Sequence, residues 1–524
     1  MVCQAWAMQG FGVPPVVLLL YFVKIFAYVG LWVLVCGFSK NLGSWAEIGE
    51  WWFELEALGK GLVLILLLEV LGIAGASGPL TARYLPPFGA STYYLRPGTI
   101  KIPLFRSLGD TRNWFDVLLY AALLVSCIAA CLAPELTPLR ILPVLVLLPL
   151  LGLFDTQIYL AARGDVWVPA LYAFLFPAQT GDALLLTWFA VWFWAAFSKL
   201  TPTFTSVVGV MVSNSPFLRF DWLKKLMYLD YPNDLRLSRT ADLMAHFGTL
   251  VEFVLPILLL LGSTFGWPAE LMHGCLIGIT LFHAFIFFNV PVGVPMEWNV
   301  VMVYGAWVLF GMHPEYSVLE VTHPAIIALY VILLMVVPLI GNCFPRYVSF
   351  LLSMRYYAGT WPYSVWLFRR GCKLEKLDPN LVKTSPDVRH QLRLLYNDHT
   401  IEQILSRQIA FRLMHLPSRA LHLLLPRAVE HIDDYYWTDG EFVAGEVIGW
   451  NFGDGHLHGE KLLASVQRRC GFAEGELRVI AVESPQWHNG RMHWRILDAA
   501  TGLMEEGTAT VHEFKDDPCW PIWK

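Results

Sequence analysis

Long apolar runs recur through the first 343 residues. A spanning helix needs about 20 mostly apolar residues, and runs of that kind lie near 14–37, 58–76, 115–133, 140–161, 180–199, 244–263, 271–290 and 324–343. Two weaker runs lie at 166–178, which has prolines near both ends, and at 298–312, which follows the proline-broken segment 289–295. The pattern predicts an all-α polytopic membrane bundle of eight to ten transmembrane helices.

Loop charges predict how the chain is oriented. Short cytoplasmic loops carry an excess of lysine and arginine, and the stretches 77–114 and 200–243 each carry five. With ten spans, the basic residues after 343 fall on the same side as these stretches, and the acidic 47–56 loop falls on the other. We therefore favour ten spans over nine and expect both termini in the cytoplasm, with the protein in the cell (inner) membrane.

Two parts of the apolar region need separate comment. The first run lacks a basic region before it and contains Lys24, so we expect a retained anchor rather than a cleaved signal peptide. The stretch 200–243 mixes an apolar run with a tryptophan and lysines, which fits an interfacial or re-entrant piece as well as a plain loop.

The character of the chain changes near residue 375, where charged residues become frequent. We predict a transmembrane domain at 1–374 and a soluble cytoplasmic α+β domain at 375–524. Residues 386–432 have helical spacing of apolar positions. EFVAGEVIGW and RVIAVES are predicted strands, and MHWRILDAATGLMEEGTATVHEF is a predicted hairpin with Gly502 in its turn.

Composition narrows the partners. Hydrophobic residues make up 56% of the chain and charged residues 15%, against about a quarter in an average soluble domain. The main partner is therefore the lipid bilayer. The net charge of -5 gives no basic footprint, so nucleic acid is not an expected partner. No fingerprint identifies a cofactor, and the nine cysteines include no CxxC pair.

Several ionisable residues lie inside the apolar runs. Inserting each costs roughly 2.5–3.5 kcal/mol, so each is a functional candidate by default. They are Glu69, Asp155, Lys199, His246, Glu252, His283 and Glu297. The alternative is that they pair with one another and hold the bundle together.

Lys199 is the most suggestive of these candidates. Helical steps of 4, 7 and 11 place Ala195, Trp192 and Trp188 on its face of the helix. An amine desolvated by this aromatic wall would have a lowered pKa and would serve as a base at neutral pH. A lysine at a cytoplasmic helix end is the alternative interpretation.

Histidine spacing does not indicate a metal site. His246 and Glu252 are six positions apart on one predicted helix, about 120° around its axis, and so do not share a face. His283 has no helical partner three or four positions away, and no HExxH pattern is present.

The densest polar motif of the tail is GWNFGDGHLHGEKLL at 449–463. Its glycines, Asp454, His456 and His458 precede a helix predicted to begin near Glu460. A glycine-rich turn that opens a helix can bind an anion, but the spacing matches neither a P-loop nor a dinucleotide fingerprint. A tight turn between strand and helix is the alternative.

Two resemblances add expectations. FGVPPVVLLLYFVKI, YLRPGTIKIP, VPMEWNV and GWNFGDGHLH resemble a bacterial, mainly actinobacterial, transmembrane family known only as a domain of unknown function. FWAAFSKLTPTF, AHFGTLVEFVLPILLLLG and LFHAFIFFNVPVGVPMEWNV look like the membrane core of the vitamin K-dependent gamma-carboxylase. That likeness implies a base at Lys199 and a cavity lined by His246 and His283. The short tail does not resemble the substrate-binding domain of the carboxylase.

Two functional hypotheses follow. The first is a membrane enzyme that acts on a lipid-soluble small molecule, such as a quinone or isoprenoid, with Lys199 as base and His246, Glu252, His283 and Glu297 orienting it or relaying protons. The reaction would be that of a carboxylase-like lyase, an oxidoreductase or a cyclase. The second is a non-enzymatic lipid carrier or scaffold for envelope or lipid biosynthesis.

Overall fold

Six helices are long and apolar enough to cross a membrane within the residues that the computed structural model describes, namely 2–10, 15–75, 86, 88–215, 217–218, 220–289, 296–449 and 455–519. The six are Leu19–Cys36, Trp114–Leu132, Pro177–Ser198, Arg239–Phe265, Ala269–Asn289 and Pro324–Cys343. They coincide with six of the predicted spans. The protein is therefore a multi-pass helical membrane protein.

The apolar part of the chain is almost entirely helical. Its main helices are α1 (Val2–Gln9), α2 (Pro15–Cys36), α3 (Leu55–Val70), α4 (Trp114–Leu132), α5 (Pro138–Phe154), α6 (Gly164–Ala173), α7 (Thr180–Ser198), α8 (Thr203–Asn214), α9 (Arg239–Phe265), α10 (Ala269–Asn289), α11 (Met296–Ala306) and α12 (Pro324–Cys343). Shorter helices lie at Ile48–Trp51, Gly89–Tyr94, Thr156–Ala161 and Asp221–Met227. A short hairpin, β1 (Tyr228–Asp230) and β2 (Asp234–Leu237), precedes α9.

Four predicted spans form helices whose bounds differ from the predicted ones. The run at 58–76 forms α3, and the run at 140–161 forms α5, which ends where the backbone becomes extended at Asp155. The run at 166–178 forms α6, and the run at 298–312 forms α11 with a π-helical continuation over Trp307–Met312. These helices pack into the same apolar core as the long ones.

Local sequence explains where the helices begin and end. Asn113 caps α4, because its side chain accepts hydrogen bonds from the backbone of Phe115 and Asp116, and Asp116 accepts one in return from the Asn113 backbone. Lys101 donates to both carboxylate oxygens of Asp116 at 2.8 Å. α9 ends at Gly266, whose φ of 62° favours glycine.

The interhelical segments gather at two ends of the bundle. At one end, Asp110 pairs with Arg469 of the C-terminal region at 3.0 Å, and the Leu416 backbone N–H donates to Ser206 at 3.3 Å. At the other end, the Gln179 amide donates to Thr322 at 2.8 Å. The stretches 77–114 and 200–243 therefore each contact the C-terminal region.

The C-terminal region is built on a five-stranded antiparallel sheet. Its strand order is β4-β3-β5-β6-β7. The strands are β3 (Tyr363–Arg369), β4 (Tyr435–Asp439), β5 (Leu477–Val482), β6 (Arg491–Asp498) and β7 (Gly502–Thr510). The predicted strand RVIAVES and the predicted hairpin around Gly502 are confirmed. The first strand lies before the predicted domain boundary at 374.

Seven α-helices of the described C-terminal region accompany this sheet. They are α13 (Cys372–Asn380), α14 (Val388–Leu392), α15 (Asp398–Met414), α16 (Leu421–Ala428), α17 (Gly440–Val447), α18 (Gly455–His458) and α19 (Glu460–Cys470). The predicted helical texture of 386–432 and the predicted helix start near Glu460 are confirmed.

The strand predicted for EFVAGEVIGW is wrong, because most of this segment forms α17. Asp439 caps the helix by accepting a hydrogen bond from the Glu441 backbone. Val443, Ala444 and Val447 then share one face and are buried. The β-branched residues that suggested a strand are the buried face of a short helix.

Candidate functional site

The first turn of α11 connects two groups of buried polar side chains. Glu297, Trp298 and Asn299 follow one another in this turn, and each contacts a different partner. One group contains charged residues from several helices. The other is a hydrogen-bonded chain between α7, α10 and α11.

The first group, here called the charged cluster, consists of Lys24, Glu69, Arg163, Asp165 and Glu297. Lys24 of α2 lies 3.1 Å from the Glu297 carboxylate. The Gly75 backbone N–H donates to the same carboxylate oxygen at 2.6 Å, and the Gly75 carbonyl accepts from Lys24 at 3.3 Å. Gly75 has φ +64°, a conformation that favours glycine. The backbone after α3 thus holds both members of the pair.

Arg163 and Asp165 form the second ion pair of the charged cluster. The guanidinium contacts both carboxylate oxygens at 3.2 and 3.3 Å. It contacts two aromatic rings, 4.1 Å from the Trp298 ring centroid and 4.7 Å from that of Tyr356. The Tyr356 hydroxyl also donates to Asp165. Stacking and bidentate pairing together fix the arginine.

Glu69 completes the charged cluster. Its residue exposure is 5%. It is close enough to Arg163, Glu297, Lys24 and Asp165 to interact electrostatically with all four. Its Oε2 lies 3.4 Å from the position that a Cβ would take on Gly75, so the glycine gives the carboxyl group room.

The hydrogen-bonded chain runs through His283. The Trp192 indole N–H donates to His283 Nε2 at 3.0 Å, and His283 Nδ1 lies 2.9 Å from Asn299 Oδ1. An indole N–H can only donate, so Nε2 must accept and carries no proton. His283 is therefore a neutral imidazole whose two nitrogens are both engaged.

Lys199 lies at the end of α7 and forms a buried ion pair with Glu252 of α9. Its ammonium lies 5.4 Å from the Phe204 ring centroid and within electrostatic range of His283. Trp188 and Trp192 are buried, as the sequence suggested, but their indole N–H groups donate to α11 and α10. The nearest polar partner of the lysine is a carboxylate.

An apolar cavity of about 220 Å³ lies between α2, α3 and the first turns of α11. Its walls include Ile25, Leu62, Ile65 and Val301, and Glu297 lies at its edge. The polar atoms of its aromatic residues point away, since the hydroxyls of Tyr28 and Tyr304 and the indole N–H of Trp32 donate to backbone carbonyls. The cavity therefore suits a hydrocarbon group.

The other predicted residues lie apart from these groups. Asp155 forms a buried pair with Arg112 and accepts a hydrogen bond from the Ile102 backbone, which anchors the loop before α4. His246 is exposed on α9 and does not join the other candidates.

The glycine-rich turn contributes one buried histidine. His458 is buried, with Nδ1 2.8 Å from the Ser364 hydroxyl, and that hydroxyl donates to the His458 carbonyl at 2.9 Å. Because the hydroxyl proton is used there, His458 donates to Ser364 rather than accepting from it. His456 Nε2 lies 3.8 Å from Glu483. Asp454 lies outside the described residues.

Sequence reasoning did not select Lys24, Arg163 and Asp165 as site residues. Arg163 and Asp165 follow a predicted span and read as loop charges. The structure places them inside the bundle, because α6 begins at Gly164 and turns them inward. The signal that was available is the lysine inside the first apolar run, which needs a carboxylate partner.

Comparisons with known proteins give one match. Residues 1–522 match the model of a family described as "Transmembrane protein of unknown function (DUF3556)". No curated protein and no solved structure matches the chain.

Proposed function

Because the chain belongs to this family of transmembrane proteins of unknown function, its activity must be inferred from its own residues, and we propose that it is a membrane enzyme acting on a lipid-soluble substrate. The substrate would be a quinone, an isoprenoid or a similar molecule. Its apolar part would occupy the cavity between α2, α3 and α11, and its polar group would face the Lys24–Glu297 pair.

The observation that carries this proposal is the position of a charged pair at the edge of an apolar cavity. Binding sites for small molecules are commonly apolar with a few placed polar groups. α2 forms one wall and is the least buried of the six candidate spans, since only 17% of its residues over Leu19–Cys36 are buried inside the protein. A molecule dissolved in the bilayer would therefore reach the cavity past α2.

The topology that we propose has ten crossings. The helices α2, α3, α4, α5, α6, α7, α9, α10, α11 and α12 would cross in turn. The basic stretches 77–114 and 200–243 and the C-terminal domain would then share one side. By the positive-inside rule that side is the cytoplasm. Labelling of single cysteines introduced at Glu50 and Lys515 by a membrane-impermeant reagent on intact cells tests this; only the first site should react.

Lys199 receives a different role in this proposal from the one that its sequence context suggested. The buried Glu252 carboxylate already contacts the Lys199 Nζ, so the pair opposes a function as free base. We assign the Lys199–Glu252 pair to fixing α7 against α9. Glu297 takes its place as the group nearest the substrate.

The test is native mass spectrometry with lipid extraction on the wild type and two variants. Val301→Phe fills the cavity, and Val254→Phe makes the same change on an exposed part of α9. We expect one apolar molecule to co-purify with the wild type and with Val254→Phe, and to be lost from Val301→Phe. Bulk phospholipid alone in all three samples would contradict the proposal.

A carrier or scaffold for lipid biosynthesis is the second candidate. The observation that favours it is that His283, Lys199 and Glu297 are each engaged by partners within the bundle. Glu297→Gln separates the two. An enzyme would still bind the co-purifying molecule and would lose its conversion by at least tenfold, whereas in a carrier no conversion would be detected in either protein.

A further inference from the structure

The charged cluster contains one more acid than it has cations. Lys24 pairs with Glu297, and Arg163 pairs with Asp165. Within the described residues, the carboxyl group of Glu69 forms no hydrogen bond and no ion pair, although 95% of the surface of this residue is buried. The two cations are already matched by the other two carboxylates.

A carboxylate in this position would be costly. Transferring an unpaired charge into a low-dielectric interior is far less favourable than neutralising it by protonation. Among the described residues, the ionisable side chains that face Glu69 come from α2, from the start of α6 and from α11. They are Lys24, Tyr28, Arg163, Asp165 and Glu297. If all three acids were ionised, the cluster would carry a net charge of minus one.

We infer that the charged cluster is a proton-binding site in which Glu69 holds the proton at neutral pH. A neutral carboxyl group both donates and accepts hydrogen bonds. Glu69 can release its proton without changing the net charge of the charged cluster if a neighbouring carboxylate of the cluster is protonated or removed at the same time. This inference does not depend on the proposed substrate, because it rests on the charges of the protein alone.

The test is infrared difference spectroscopy of the detergent-solubilised full-length protein at neutral pH. The wild type minus Glu69→Gln spectrum should show one band in the carbonyl-stretching region of protonated carboxylic acids, and this band should move to lower frequency in D₂O. A difference band in the carboxylate region instead would overturn the inference.

Glu297→Gln provides a second measurement that leaves Glu69 in place. Removing one acid makes two cations face two acids, so Glu69 should ionise and the protonated band should disappear. Persistence of the band in this variant would contradict the charge balance. Glu50→Gln, which changes an exposed acid, should keep the band. Size-exclusion chromatography selects folded protein, and the Glu297→Gln spectrum decides the matter if Glu69→Gln fails to fold.

Discussion

The Lys199–Glu252 pair offers the most direct test of the division between structural and catalytic charges. Its two side chains are 7% and 5% exposed. Removing one partner of such a pair leaves an uncompensated buried charge and costs about 3–5 kcal/mol. Removing both partners leaves no charge, so Lys199→Met with Glu252→Gln should be less destabilised than either single variant.

The expected shift in melting temperature is modest because the chain is long. With about 2.1 cal/mol/K of unfolding entropy per residue, a chain of this size shifts by about 1 °C per kcal/mol. Each single variant should therefore lose about 3–5 °C, and the double variant should recover at least half of that loss. A thermal shift assay in detergent measures this.

An exposed pair serves as the control. Arg393 and Asp398 are 56% and 73% exposed, so Arg393→Met should leave the melting temperature unchanged. If the losses of the two single variants simply add in the double variant, the ion pair contributes nothing and the reasoning is refuted. If Lys199→Met keeps its full stability but loses activity on the co-purifying molecule, the lysine acts in catalysis instead.

Three further predictions follow from contacts described above. Trp192→Phe removes the indole donor from His283 Nε2 and should cost about 1–3 kcal/mol of stability, which a thermal shift assay detects as a lower melting temperature. An unchanged melting temperature would show that the hydrogen-bonded chain through His283 does not stabilise the bundle. Gly440→Ala places a Cβ against the Ser364 hydroxyl, so it should lower the yield of folded protein on size-exclusion chromatography. Gly248→Ala, with open space at its Cβ position and a helical backbone, should be milder. Burial opposes the charged form of Asp387, but the adjacent Lys373 ammonium outweighs this effect and lowers the pKa of Asp387. The Asp387–Lys373 pair therefore stabilises the fold above about pH 4, the ordinary aspartate value, and this stabilisation is lost as the pH falls below it. Asp387→Asn should flatten the loss of melting temperature at acid pH, and an unchanged pH profile would contradict the assignment.

Apolar runs predicted the long helices well because burial in lipid requires about 20 consecutive apolar residues. The shorter helices were harder to bound. α5 stops at Asp155, where an acid pairs with a distant arginine, and nothing in the local hydropathy marks that stop. β-branched residues led to the prediction of a strand where α17 forms. The helix forms instead because Asp439 caps it and its apolar residues are buried on one face.

The candidate site was only partly predictable from the sequence. Buried acids such as Glu69 and Glu252 could be recognised from their apolar context. Their partners could not, because Lys199 and Glu252 are 53 positions apart and come together only through helix packing. His246 was expected to be a site residue because it lies in an apolar run, but it lies on an exposed face of α9.

The consecutive contacts of Glu297, Trp298 and Asn299 fix the rotation of α11 about its own axis. Successive helical positions point about 100° apart, so one turn of backbone meets three neighbours in three directions. A rotation of α11 by one position would misalign the carboxylate, the indole and the amide together. Displacement of Glu297 by a ligand would therefore also move Trp298 against Arg163 and Asn299 against His283.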